Sequence, residues 1–430
     1  MRSPEKLAIL GGKPIISGEF KDYQSLGGAD VAAALQVLNS GKLSEFIGSS
    51  GDFFLGGRYV KRLESQWKEF FQVENAVSVN SWTSGLWVAI GALGLEPGSE
   101  VIVSSWTMAA TATTILHWNL VPVFADIDES TFNLDPADVE NRITKRTRAI
   151  VSPDIFGQSA DIESLKIICE KYDLMLVSDT AQSPGAKRNG YFAGTASDIG
   201  GFSLNYHKHI HSGEGGVAVT KSPELAHRMQ LLRNHGEVVV GQNPDLESQY
   251  GILGMNMRLG EIESAIAEIQ LTKLSLAIES RRRGAQLFSN MVSELPGVSV
   301  PKILPGNEHV YYLYGMRIDF QQIGIDRKTL SSALKAEGVP AILEGYQNIH
   351  KLPLFNKELT YKGNPLPYSL LSRKRRRELS ATNLPIAEML HNSNFLGINW
   401  CSKEFNEPEV RSLASAFQKV WENLDHLRDM

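Results

Sequence analysis

Residues 202–220 read FSLNYHKHIHSGEGGVAVT. A single lysine, Lys208, stands between His207 and His209; His211 follows, and a glycine run leads into the β-like GVAVT. Three chemistries suit such a stretch. A metal centre needs ligands converging on one face, but the spacing 207/209/211 flanks a lysine, and no HExxH or CxxC spacing supports it. A phosphate loop needs its glycines ahead of a GK[ST], whereas here they follow the lysine. The third chemistry is a Schiff-base lysine in a loop beside an apolar strand. Its amine must shed a proton to act as a nucleophile, which burial and nearby cations promote.

Working outward, the chain alternates helix-like and strand-like pieces from about residue 58. YVKRLESQWKEFF has helical periodicity, AVSVN is a short β run and SGLWVAIGALGL an apolar helix. EVIVSS, VPVFADID, RAIVSPDIF and LMLVSDT are strands, separated by helical AATATTILHWN and DIESLKIICEKY. Apolar strands alternating with helices predict an α/β fold: a mainly parallel sheet covered on both faces, with ligands at the strands' carboxyl ends. After GVAVT a long helical run, GEIESAIAEIQLTKLSLAIESRRRGAQLFSNMVSEL, reads as a connector. Beyond it VYYLYGMRIDF is expected as a strand, RKTLSSALKAEG and PEVRSLASAFQKVWENLDHL as helices. The organisation predicted is an N-terminal arm (1–30), a large domain (31–274) and a smaller α+β domain (275–430).

The chain has 430 residues, is 42% hydrophobic and carries a net charge of −5, which argues against a nucleic-acid partner. The run Arg373-Lys374-Arg375-Arg376-Arg377 reads as a solvated helix face, with docking of an anionic ligand such as a nucleotide diphosphate as the alternative. Two cysteines, Cys169 and Cys401, fit a reducing compartment. The N-terminus has too short an apolar run for a signal segment, and no window suggests a membrane span. A cytoplasmic enzyme is the expectation.

Three further pieces fall at strand ends or on loops. In VNSWTSGLWVAI, Ser81, Trp82 and Thr83 form the turn into a helix, where hydroxyls and free N–H groups suit a phosphate as well as an ordinary cap. In LMLVSDTAQSPGA, Asp179 directly follows an apolar strand, with Gln182 three residues on. Burying that carboxylate unpaired is costly. It suits a metal ligand, an acid/base group, a partner for a cationic ring nitrogen, or simply a cap or buried ion pair. In LGMNMRLGEIESAIAEIQL, Asn256 and Arg258 precede the long helix; in isolation a helix-start turn is the preferred reading.

Taken together and in order, these pieces resemble the DegT/DnrJ/StrS sugar aminotransferases. LAILGGKP, GGRYVKRLE, GSEVIVSSWTMAAT, VPVFADIDESTFNLDP, IFGQSADIESL, LLRNHGE and LKAEGVPAILEGY extend the resemblance over nearly the whole chain. It implies the pyridoxal phosphate (PLP) transferase fold of type I. That fold has a three-layer large domain with a mainly parallel seven-stranded sheet and a smaller C-terminal α+β domain. It also implies roles. Lys208 is the Schiff-base lysine, Asp179 holds the pyridine nitrogen protonated and Gln182 lies near the ring's 3-hydroxyl. Trp82, Thr83 and Ser203 form the phosphate cup, and Asn256 reaches the same phosphate across a homodimer interface, assisted by Arg258. No metal is implied.

The sequence departs from the family's pattern in places. Trp82 stands where the phosphate turn usually has glycine, and Met108 where an aromatic ring often stacks on the cofactor, with adjacent Trp106 as the other candidate. His207, His209 and His211 read either as substrate or proton-relay groups or as packing. The resemblance implies transfer of an amino group from L-glutamate or L-glutamine to a nucleotide-linked keto-sugar or a keto-cyclitol. A sugar dehydratase of the same fold is the near rival, but it has histidine in place of the lysine. A non-catalytic PLP-binding regulator is the other.

Overall fold

A computed structural model of the chain describes residues 5–242, 252–356 and 366–428. The ends of the expected arm and C-terminal domain, residues 1–4 and 429–430, lie outside it. The seven strands of the main sheet are β1 (Asn75–Val79), β2 (Glu100–Ser104), β3 (Val121–Ala125), β4 (Thr147–Pro153), β5 (Met175–Asp179), β6 (Ile199–Ser203) and β7 (Gly216–Thr220). Their order across the sheet is β1-β7-β6-β5-β4-β2-β3. Neighbours from β6 to β3 pair parallel, and only β7 runs against the rest. Every residue of β2, β3, β6 and β7 is buried, and apart from Glu100 at the start of β2 these strands read as apolar or small runs.

Helices cover the faces of this sheet. α1 (Gly28–Ser40) and α2 (Arg58–Phe71) precede β1, and α3 (Trp82–Ala92) comes after it. α4 (Ala110–His117) leads into β3, α5 (Ile162–Tyr172) links β4 to β5, and α6 (Pro223–Arg233) leaves β7. Local chemistry sets their starts: the Ser81, Asp161 and Ser222 side chains each accept from the backbone N–H three residues on. α7 (Glu261–Val292) is 32 residues long and runs unbroken past residue 275. It packs on α1 and α2 at one end and on a C-terminal helix at the other, so it belongs to both halves of the molecule.

The second half is a four-stranded antiparallel sheet, β8 (Val298–Ser299), β9 (Tyr314–Ile318), β10 (Ile342–Leu343) and β11 (Phe395–Ile398), in the order β8-β9-β11-β10. It packs with α8 (Arg327–Ala336) and a C-terminal helix, Glu407–Glu422. The strand expected from residue 310 starts only at Tyr314, because Tyr311 takes a left-handed backbone at φ 52°. Residues 310–313 are therefore a loop. The start of the chain joins this half: Leu7 and Phe20 lie in its core. Buried Glu337 accepts from the Ala8 and Ile15 N–H groups at 2.7 and 3.0 Å, and Lys419 caps it at 3.0 Å. Residues 7–20 are thus stitched to the C-terminal half.

The connection from β10 to β11 carries α9 (Arg373–Ser380) and α10 (Pro385–Met389) and wraps the β2–β3 edge of the main sheet. Two carboxylates hold it. Glu100, fully buried, takes a bidentate pair from Arg375 at 2.7 and 2.9 Å. Asp126, just past β3, accepts from the N–H groups of Ile127, Ile386 and Ala387, each at 2.9 Å. The last two open α10, so the carboxylate also meets a helix N-terminus. The basic run is thereby located at the amino end of β2, a strand length or roughly 15 Å from the carboxyl edge. Within its own chain the run therefore sits away from the carboxyl edge, with Arg375 paired to Glu100. No helix among the described residues is long and apolar enough to cross a membrane.

Asp126→Ala leaves two opening N–H groups of α10 without their charged acceptor. We expect a loss of about 2 kcal/mol in chemical-denaturant unfolding. An unchanged midpoint would show that packing alone holds the connection.

Candidate active site

At the carboxyl edge of the main sheet lies a cavity of about 270 Å³. Its floor is formed by the turns and loops leaving β1, β2, β4, β5 and β6, and the C-terminal half closes it with Tyr312 and Tyr346. Lys208, Asp179, Gln182, Ser203, Thr83, Trp82 and Met108 all line it. Residues far apart in the sequence are brought together because parallel strands end side by side.

Lys208 is 8% exposed. Its Nζ sits 3.5 Å from the Tyr312 hydroxyl and 4.4 Å from that ring's centroid. Burial lowers its pKa to about 8, against the charge of Asp179, which favours the protonated form. A share of the amine is therefore neutral near physiological pH. The loop carrying it is pinned by its neighbours. His209 is fully buried with Nε2 2.8 Å from the Val310 carbonyl, and Tyr23 donates to its carbonyl at 3.1 Å.

The three histidines go three ways. His209 packs, the His211 backbone turns towards Gln270, and only His207 lines the cavity. Burial, with help from Lys208, lowers His207 to about 4, so it is neutral at physiological pH.

Asp179 ends β5 and is 7% exposed. Its Oδ2 accepts from Thr111 Oγ1 at 2.7 Å, and its Oδ1 from Trp82 Nε1 at 2.7 Å and more weakly from the Ala181 N–H at 3.3 Å. The Thr111 hydroxyl lies 3.1 Å from that of Thr107. One residue past the partner of Asp179 in β4, Asp154 is raised to about 6 by burial, despite its bonds from Thr180 and the Ala160 N–H. Gln182 accepts from the Phe156 N–H and donates to the Tyr346 hydroxyl, both at 3.0 Å. Phe156 itself holds a left-handed backbone at φ 59°, a strained turn at the cavity's rim.

The turn after β1 leaves the first N–H groups of α3 facing the cavity, with Thr83 exposed beside them and Ser203 across. Of Trp82, only the backbone belongs to that turn. Its indole, 5% exposed, runs back into the fold to Asp179. Gly201 makes this possible: a Cβ there would lie 1.8 Å from the indole ring.

Of the two stacking candidates, Met108 lines the cavity and is 61% exposed. Trp106 is fully buried, edge-on to Tyr346 and Phe395, and does not line the cavity. Asn256 is exposed and Arg258 bonds Asn234 at 2.6 Å; neither lines the cavity of its own chain.

Sequence reasoning missed Thr111, Tyr312, Tyr346 and Asp154. Thr111 lies in the first turn of α4, and the loop ahead of that helix brings the Thr107 hydroxyl to it. The two tyrosines come from the other half of the molecule, and nothing local marks them.

The sequence pattern of the DegT/DnrJ/EryC1/StrS aminotransferase family matches residues 42–388. The chain is 31% identical to an L-glutamine:2-deoxy-scyllo-inosose aminotransferase of Micromonospora echinospora, over 98% of this chain and 99% of that one. Among solved structures it is similar to DesV of S. venezuelae, crystallised in complex with a ketimine intermediate (27% identity, TM-score 0.73, 91% of this chain and 94% of that one). It is also similar to a GDP-4-keto-6-deoxymannose-3-dehydratase with a trapped PLP–glutamate geminal diamine (25% identity, TM-score 0.75, 92% and 98%). With its sheet, cavity and sequence in agreement over most of its length, the chain belongs to the DegT/DnrJ/EryC1/StrS aminotransferase family.

Proposed function

We propose that the cavity holds pyridoxal 5′-phosphate and that the protein moves an amino group from L-glutamate or L-glutamine to a keto-cyclitol. The observation that carries this reading is a partly neutral buried amine, Lys208, sharing one cavity with a carboxylate that two donors hold. The donor set fits the cofactor. An amine can bond an aldehyde, an anionic carboxylate suits a protonated ring nitrogen, and helix N–H groups with Thr83 and Ser203 suit a phosphate. Gln182, braced by Phe156 and Tyr346, suits the ring's hydroxyl.

When bound, the cofactor supplies an electron sink for negative charge at the donor's α-carbon. The protein's own groups do the rest. The Lys208 amine would serve as the base that takes the proton from that carbon in the first half of the reaction, and as the acid that supplies one to the acceptor carbon in the second. Tyr312 covers the amine and keeps water from it. Trp82 and Thr111 donate to both oxygens of Asp179 and hold the carboxylate in place. Met108 offers a thioether to a ring face.

The cyclitol rather than a nucleotide-linked sugar is favoured by charge. Among the described residues lining the cavity, Lys208 is the only cation, so one chain offers a diphosphate no guanidinium. Neutral polar groups such as Asn205, His207, Tyr312 and Tyr346 suit a ring of hydroxyls. The 2-deoxy-scyllo-inosose enzyme of Micromonospora echinospora, similar from end to end, supports the same choice.

A homodimer with shared cavities is part of this reading. Val31, Leu35 and Leu38 project from α1 at 58, 50 and 51% exposure, a helical stripe turned away from its contact with α7. Met255, also exposed, adjoins Asn256. A second copy on this face would cover the stripe and let Asn256 serve the partner's cavity.

The test is a panel of acceptors with PLP-loaded protein and L-glutamine. We expect keto-cyclitols to be aminated faster than nucleotide-linked keto-sugars by about tenfold or more. The reverse preference, or an acceptor that loses a hydroxyl without gaining nitrogen, would overturn it. The lowered Lys208 pKa makes a second prediction. Covalent capture of PLP by the apoprotein should quicken as pH rises and level off above about 8, since only the neutral amine reacts. A rise continuing to about pH 10 would mean an ordinary exposed lysine. Third, Leu35→Asp should shift the protein to half its mass in solution and lower turnover. A variant with unaltered mass would place the interface elsewhere.

A further inference from the structure

The indole of Trp82 fills a slot that the surrounding backbone leaves open for it. A Cβ at Gly201 would meet its ring at 1.8 Å, one at Gly85 at 2.3 Å, and one at Gly216 would meet the Trp82 backbone N at 2.8 Å. Gly85 on α3 and Gly201 on β6 therefore make room for the indole, and Gly216 on β7 makes room for the backbone that carries it. The slot ends at Asp179, where Nε1 donates to Oδ1 at 2.7 Å. The bond is buried and its acceptor is a carboxylate, so it belongs to the stronger kind. Thr111 completes the arrangement on Oδ2.

We infer that Trp82, with Thr111, is a positioning residue that fixes where the proton between Asp179 and the cofactor's ring nitrogen resides. This rests on the reading that the cavity binds PLP through Asp179. An anionic carboxylate next to a pyridine nitrogen can leave the proton on the ring or take it. Each donor bond to the carboxylate lowers its basicity and keeps the proton on the ring, where its positive charge is useful. Asp154, fully buried nearby, is itself pushed up to about 6 by burial.

Trp82 also joins two ends of the site. Its backbone opens the α3 turn that suits the phosphate, and its side chain reaches the carboxylate that suits the ring. A glycine at this position could supply only the first. Position 82 thus couples the height of the phosphate turn to the placement of Asp179.

The experiment compares wild type, Trp82→Phe and Thr111→Val as apoproteins titrated with PLP. Binding is followed by absorbance, and the pH midpoint of the bound cofactor's visible band is then measured. Trp82→Phe keeps an aromatic side chain, though a smaller one, and removes the N–H; Thr111→Val keeps the shape and removes the O–H. Each should bind PLP about tenfold more weakly, the scale of one hydrogen bond to a charged group. Each should also raise the pH midpoint by about half a unit or more, because a less positive ring repels the proton at the Lys208 nitrogen less. A purely structural role would lower melting temperature and leave that midpoint in place. A wild-type midpoint in either variant, with PLP bound, would overturn the inference. Failure of the wild-type apoprotein to bind PLP would instead overturn the cofactor reading beneath it. Should Trp82→Phe not fold, Thr111→Val alone decides, since the inference requires both donors to move the midpoint.

Discussion

A carboxylate buried at the end of an apolar strand has to be satisfied, and the site is arranged around that requirement. Asp179 closes β5, whose other residues are mostly buried in the sheet. Leaving its charge unpaired would cost several kcal/mol. The fold answers with one donor from the helix after β1 and one from the helix after β2. Both helices start where parallel strands end, so both donors come from the same edge as the acid they serve. The carboxylate side of the cavity is thereby braced, because its acid already has partners inside the protein.

The opposite wall is built differently. Lys208 lies in a loop whose position depends on the C-terminal half. His209 leans on the Val310 carbonyl, and Tyr312 covers the amine. Tyr346 reaches in from the connection that Glu100 and Asp126 hold to the sheet edge. The amine is therefore kept dry by the second half of the molecule, while the carboxylate is held in place by donors from the first. The two walls thus prepare a partly neutral amine and a braced carboxylate.

Much of this was legible in the sequence because strand ends are local. AVSVN, EVIVSS, RAIVSPDIF and LMLVSDT mark the edge, and Asp179 and Gln182 are placed by the strand they follow; Lys208 stands out in the loop ahead of GVAVT, and Ser203 is reached only through the family resemblance. What stayed hidden is what comes from far away or from rotamers. Tyr312 sits in VYYLYG, which reads as one strand, and only the left-handed turn at Tyr311 shows that the run begins as a loop. Trp82 could be read as an anomaly in a turn, but its destination depends on Gly201, on a distant strand, lacking a side chain. Sequence alone could not show that Trp106 is core and Met108 is rim, since both come after the same strand. The basic run at 373–377 is conspicuous as text but lies at the wrong end of the sheet.

The central claim is that Lys208 is the covalent anchor of the site. Apoprotein loaded with PLP, reduced with borohydride and digested should yield one modified peptide, with the added mass on Lys208. A stable label on another lysine, with the peptide containing Lys208 unmodified, would contradict the account.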